Sequence, residues 1–327
     1  MTSAPRTVLH LLEEVDNFPY YDEANPTIYT ELISSFYKFW LHNSESCVGW
    51  IHPWVRQKMP FGENWSIDEV TKIIKPGRAI QLPKQQQDVI VRTLEEARDK
   101  KIFKVVSGNG WRNEHYPIYG LYGIQIGIER GGAPLFGMVT CGLHCTAYIE
   151  TKAGLKIWAP RRARNRPTHP GMLDNTVAGG MAFGDGAFAT LIKESAEEAN
   201  LREDIVCKYA RSCGTVSYFH IQAKRDGEES GLLQPTVKYV YDLGLPESML
   251  LKPNDYEVES FELLTIDQVR KALANGEFRP SSVMVLLDFL IRHGFITAEN
   301  EPNFAEIVSR LHRRLPFTVR IEGSYMV

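Results

Sequence analysis

Cysteine, net charge and long apolar runs are all scarce in this sequence, and each shortage removes a class of protein. Five cysteines in 327 residues make no even framework, so a reducing compartment is expected rather than a disulfide-stapled secreted fold. The 37 basic and 40 acidic side chains leave a net charge of −3, which gives no general attraction to nucleic acid. No apolar run approaches the length of a membrane span. The opening stretch, MTSAPRTVLHLLEEVDNF, carries acids early and lacks the apolar centre of a signal peptide, so a cytoplasmic location is expected. With 43% hydrophobic and 24% charged residues, the chain reads as globular, long enough for one large or two ordinary domains.

The most informative stretch is 179–201, GGMAFGDGAFATLIKESAEEANL, where a glycine-rich turn runs into a helix-forming segment. Glu194, Glu197 and Glu198 stand at i, i+3 and i+4, so a helix puts all three on one face. Carboxylates that close repel one another. A hard divalent cation, which takes oxygen ligands and often substrate phosphates, removes the repulsion. Taken alone, such a triplet also reads as solvated surface charge. The turn adds weight to the metal reading: Gly179 and Gly180 let backbone approach a ligand. Asp185 is placed to cap free N–H groups of the helix, and Lys193 can pair with Glu197 one turn on.

Around it, residues 1–110 read as a first domain with helices at 8–15, 27–41, 65–75 and 85–101 and a strand at 47–51, but no catalytic constellation. The stretch 107–119 reads as a linker. Residues 111–327 follow, with strand signals at 119–128, a hairpin turn at 130–132, and strands at 135–150, 155–159, 215–219 and 236–243. Helices are expected at 266–275, 281–293 and 301–315, and an exposed loop at 224–234. Cys141, His144 and Cys145 could suggest zinc, but alternation with Thr140, Thr146 and Tyr148 favours a strand. The segment 161–180 holds Arg161, Arg162, Arg164 and Arg166, suited by charge and donor geometry to phosphate.

The stretch 179–201 resembles the signature of the Nudix hydrolases: Gly, five residues, Glu, seven residues, then Arg-Glu-aliphatic-x-Glu-Glu-x-Gly-aliphatic. Gly179, Glu194, Glu197, Glu198 and Leu201 match. Asp185 stands for Glu, Lys193 for Arg, Ser195 for the aliphatic residue and Asn200 for the second Gly. The runs VDNFP (15–19), VGWI (48–51), WAPRR (158–162), PGMLDNTVAGG (170–180), YVYDLGLP (239–246), EVESFELL (257–264) and LLDFLIRHGFIT (286–297) are similar to the Nudix subfamily related to thiamine pyrophosphokinase.

The resemblance implies an α/β fold: a Nudix α/β/α sandwich with a mixed sheet, preceded by a smaller α+β accessory domain. It implies Mg²⁺ or Mn²⁺ held by the Gly179 carbonyl, Glu194, Glu197 and Glu198. A further carboxylate would come from outside the signature, Glu259 being preferred over Glu257. Arg161, Arg162 and Arg166 would clamp the diphosphate. The implied partner is a small-molecule diphosphate lying between the domains, with no nucleic acid or membrane partner; a homodimer is left open. The substrate implied is thiamine diphosphate or its oxidised analogues, cleaved to the monophosphate. Alternatives are another diphosphate such as ADP-ribose, prenyl diphosphate isomerisation, or a ligand-binding sensor that kept the fold. Trp111, Tyr116, Tyr218 and Phe219 are the candidate ring contacts, each competing with a role in the core.

Overall fold

Alternation of apolar side chains along the strands sets the centre of the molecule. The computed structural model describes residues 6–122, 125–166, 168–223 and 229–319. The first half runs α1 (Val8–Val15), α2 (Pro26–Ser35), β1 (Tyr37–Phe39), β2 (Gly49–Ile51), α3 (Pro53–Lys58), β3 (Trp65–Asp68), β4 (Ile73–Pro76), α4 (Pro83–Asp99), β5 (His115–Pro117) and β6 (Gly127–Glu129). After a 3₁₀ turn at Arg130–Leu135 come β7 (Thr140–Thr151), β8 (Gly154–Arg162), β9 (Val177–Gly180), α5 (Ala187–Ala199), α6 (Glu203–Tyr209), β10 (Ala210–Ile221), β11 (Leu233–Gly244), β12 (Val258–Thr265), α7 (Ile266–Ala274), α8 (Pro280–Arg292) and α9 (Phe304–Leu311).

In the first half, a small sheet ordered β2-β1-β4-β3 is covered by α4. Pro83 opens α4 and Gln85 reaches back to the Leu82 N–H, as a helix start requires. Its buried stripe of Val89, Ile90, Leu94 and Ala97 meets Phe39, Ile51 and Ile74.

The second half is a mixed sheet ordered β10-β11-β7-β8-β12, with β9 pairing to β7. β7 and β11 run parallel, the other neighbours antiparallel. Successive residues face opposite sides: Trp158, Tyr241 and Leu243 pack with α5 and α6, while Ile157, Ala159, Val216 and Val240 pack with α7, α8 and α9. This is an α/β/α sandwich. The N-terminal helix α1 joins the second face, its Leu11, Leu12 and Val15 packing in the core built on α8.

A third cluster joins the two halves. Phe18 stacks on Phe219 at 4.1 Å, with Trp50, Tyr119 and Phe317 around them. Arg313 fastens this seam. Its guanidinium pairs with Asp16 at 3.0 Å, donates to the Pro19 carbonyl at 2.7 Å, and lies 3.9 Å over the Tyr20 ring. Asp16 in turn accepts the Phe219 N–H at 2.8 Å.

Several expectations need correction. The stretch 65–75 is the β3–β4 hairpin, not a helix. Asp68 accepts the N–H groups of Val70 and Thr71, Lys72 takes a left-handed φ of 51°, and β-branched Ile67, Ile73 and Ile74 suit strands. The helix expected at 27–41 ends at Ser35, and 37–39 is strand β1. The turn at 130–132 is the opening of a 3₁₀ helix, and strand β7 begins at Thr140 rather than 135. Strand signal at 119–128 survives only as β6; residues 123 and 124 lie outside the described residues, as do 224–228 of the expected loop. The last helix, expected at 301–315, is the shorter Phe304–Leu311.

Candidate functional site

The turn between β9 and α5 brings the signature residues together. Gly179 faces α5 so closely that a Cβ there would stand 2.5 Å from Cγ, Cδ and Oε1 of Glu194. Only glycine leaves room for that carboxylate. Glu198, one turn on, accepts the Ala178 N–H at 3.0 Å. Glu197 is exposed on the same face. None of the three has an ion-pair partner among the described residues.

Helix α5 ends where Asn200 adopts a left-handed φ of 53°, which explains how Asn stands in for the Gly of the signature. Ser195, in place of the aliphatic residue, is fully buried with its hydroxyl unpartnered. Asp185 does not cap the helix: Gly186 is the N-cap residue, and no side chain bonds there. Lys193 and Glu197 form no ion pair among the described residues, although Lys193 acts on Glu194.

Crowding and burial raise the carboxyls. Burial pushes Glu194 from 4.5 up to about 7, and Glu197 adds to it while Lys193 and Arg130 oppose it. Burial also pushes Glu198 well above the usual carboxylate range, against the opposing Ala178 N–H and with help from Glu194, Asp174 and Glu257. Two neighbouring carboxyls that resist ionisation mark a candidate functional site.

The outer carboxylate that acts on this cluster is Glu257, which bears on both Glu194 and Glu198. Glu259, preferred from sequence, sits at a bulge of β12 and turns outward to the exposed Arg164 at 3.5 Å. A bulge shifts side-chain direction, which strand alternation alone does not reveal.

The arginines are largely committed elsewhere. Arg162 is buried, paired with Asp174 at 2.8 Å and bonded to the Thr168 carbonyl at 3.2 Å, so it is a structural ion-pair residue, not a free clamp. Burial pushes the Asp174 carboxyl up, but Arg279 and Arg162 outweigh this and hold it below the usual range. Arg161 pairs with Glu262 at 2.7 Å and with the Gly171 carbonyl. Arg166 pairs with Glu257 and so reaches the edge of the glutamate cluster.

Of the aromatic candidates, Tyr218 and Phe219 are core residues. Trp111 lies under the Arg98 guanidinium at 4.3 Å. Tyr116 is the one beside the site, its hydroxyl occupying the space that a Cβ on Gly180 would take. Cys141 and Cys145 face one side of β7, whereas His144 faces the other and bonds Asn175 at 2.6 Å, so they do not converge. Among the described residues no three His, Cys, Asp or Glu side chains already close on one point.

Sequence reasoning missed Lys238. It stands alone as a cation in the apolar strand β11, between Val237 and Tyr239, and that isolation was the available signal.

No family model matches the chain. An uncharacterized protein of Saccharomyces cerevisiae is 42% identical over 228 residues, covering 68% of this chain and 67% of that protein. Nudix hydrolase 20, chloroplastic, of Arabidopsis thaliana is 32% identical over 284 residues, covering 83% of this chain and 71% of the relative. Nudix hydrolase 24, chloroplastic, from the same plant is 28% identical over 271 residues, covering 82% and 70%.

Proposed function

Because the chain belongs to the Nudix hydrolase family, we propose that it cleaves an organic diphosphate with Mg²⁺ or Mn²⁺ held by the Gly179 carbonyl, Glu194, Glu197 and Glu198. The observation that carries this is the crowding at the β9–α5 turn. A carboxylate is pressed against a glycine, two neighbouring carboxyls resist ionisation, and among the described residues no cationic side chain pairs with them. Donors that are all oxygen suit a hard divalent cation. Once bound, such an ion lowers the pKa of water and offsets phosphate charge.

The chain's own residues supply the rest. Glu198, bonded to the Ala178 N–H, is fixed in orientation and keeps its other oxygen free to meet the ion. Glu257, neutralised in part by Arg166, is the carboxylate best placed to accept a proton at the rim of the cluster. Residues 1–110 act as an accessory module in this reading, and the seam they share with the sheet borders the site.

For the substrate we propose thiamine diphosphate or its oxidised analogues, released as the monophosphate. The segments similar to the thiamine-pyrophosphokinase-related subfamily support it, and Tyr116 is the aromatic neighbour available to a ring. The test incubates the full chain and Mg²⁺ with thiamine diphosphate, its oxo analogues and ADP-ribose, then separates the products. Thiamine monophosphate and inorganic phosphate are expected, and excess chelator should abolish both. Cleavage of ADP-ribose alone would overturn the thiamine assignment while leaving metal-dependent diphosphate hydrolysis in place.

A further inference from the structure

Arg161, Arg162 and Arg166 are tied to Glu262, Asp174 and Glu257, which leaves open what meets the phosphates. Strand register points to an answer. Lys238 of β11 lies beside Gly142 of β7, and Gly142 lies beside Gly180 of β9. Residues paired in this way project from the same face of a sheet. Two of the three positions are glycine, so a trough crosses the sheet with Lys238 at one end. A Cβ built on Gly142 would stand 3.1 Å from Lys238 Nζ and 2.6 Å from the Gly179 carbonyl oxygen. The ammonium therefore reaches over the trough toward the carbonyl assigned to the metal. The Tyr116 hydroxyl, seated over Gly180, closes the far end.

Two guanidiniums flank this trough. Arg130 lies 5.3 Å from the Tyr116 ring centroid and opens the 3₁₀ turn that packs against β11. Its side chain is 45% exposed and is steered by Glu114 at 2.7 Å. Arg279, at the start of α8, shares Asp174 with Arg162 at 3.3 Å. Lys238 has no carboxylate partner and no hydrogen bond among the described residues. Burial, then Arg279 and Arg130, push its pKa down to about 8. A half-buried ammonium near two like charges is unfavourable until an anion enters.

We propose that Lys238 forms a phosphate subsite beside the Gly179 loop as the direct contact to the substrate's phosphate oxygens, while Arg130 and Arg279, held by Glu114 and Asp174, add positive potential around it. This rests on the diphosphate-hydrolase reading above.

Inorganic pyrophosphate with Mg²⁺ is the probe, titrated into the full chain by calorimetry. Lys238→Met keeps a stem of similar bulk and removes the charge. Affinity should fall about 10- to 100-fold, as expected for one charge-assisted contact, while the rise in Tm caused by Mg²⁺ alone should be no smaller than in the wild type, since a neighbouring positive charge has been removed. Lys238→Arg should recover part of the affinity. Arg130→Gln, at a partly exposed position, should weaken binding by up to about 5-fold. Wild-type affinity in folded Lys238→Met, or no pyrophosphate binding by the wild type, overturns the subsite. A chain that binds pyrophosphate through Lys238 yet hydrolyses no diphosphate would instead overturn the hydrolase reading and support the subsite.

Discussion

Glu194→Gln separates what the glutamate face costs the empty protein from what it does for catalysis. The substitution keeps the shape that fits against Gly179 and removes the charge. A carboxyl raised from 4.5 to about 7 disfavours the ionised folded state by about 3 kcal/mol when fully deprotonated. Water reaching this half-buried group lowers that figure, to about 1–3 kcal/mol. Because the folded value is raised, the associated stability is fully present below about pH 4.5 and is lost as pH rises through about 7. Metal-free wild type should therefore lose stability between pH 5 and pH 8, and Glu194→Gln should lose less. At pH 8 in chelator the variant should melt about 2–6 °C higher, taking about 2 °C per kcal/mol for a chain of this size. Adding Mg²⁺ at 100 times its dissociation constant should stabilise wild type by about 2.7 kcal/mol and the variant much less. Turnover should fall by at least ~100-fold, the low end for a lost catalytic group. Differential scanning fluorimetry across pH, with and without Mg²⁺, together with a phosphate-release assay, reads all of this. A variant that melts at or below wild type at pH 8, or keeps full activity, would refute the reasoning.

Three further expectations follow from neighbouring contacts. Arg162→Ala leaves the buried Asp174 carboxylate to Arg279 and the Ser282 hydroxyl, so chemical denaturation should show a loss of about 1–3 kcal/mol, larger than any direct effect on substrate affinity. Gly179→Ala drives a methyl against the Glu194 carboxyl; the Mg²⁺ titration should weaken by at least tenfold, and an unchanged titration would mean that Glu194 does not need this approach. Ser195→Ala removes a buried hydroxyl without a partner, and equilibrium unfolding should show a gain of up to about 1 kcal/mol.

How much of this was legible in the residues depends on how far apart the partners lie in sequence. Helix α5 and its three glutamates could be read directly, because their spacing is local and periodic. The same holds for α8, expected at 281–293 and found at Pro280–Arg292. The 65–75 stretch was misread because apolar residues at 67, 70, 73 and 74 also fit a helical period. The deciding feature was the Asp68 turn, whose geometry shows only when its bonds are seen. The arginines were misjudged for a different reason. Basic residues clustered in sequence look like a clamp, but Arg161 finds Glu262, and Arg166 finds Glu257, across a strand pairing that the local sequence does not announce. Lys238 was overlooked because its meaning comes from Gly142 and Gly180, which flank it only once three strands align.

The Arg313–Asp16 pair spans 297 residues of chain. During synthesis α1 therefore leaves the ribosome long before α8 and α9, the helices it packs against, exist. Until then Leu11, Leu12 and Val15 have no core to enter, and the groove that receives them is unmade. Half-made chains carry an apolar helix face in search of a partner, a state open to aggregation and to chaperones. Because its contacts are so distant in sequence, the closing step of this fold should also be slow. Helices α8 and α9 decide whether α1 is ever buried.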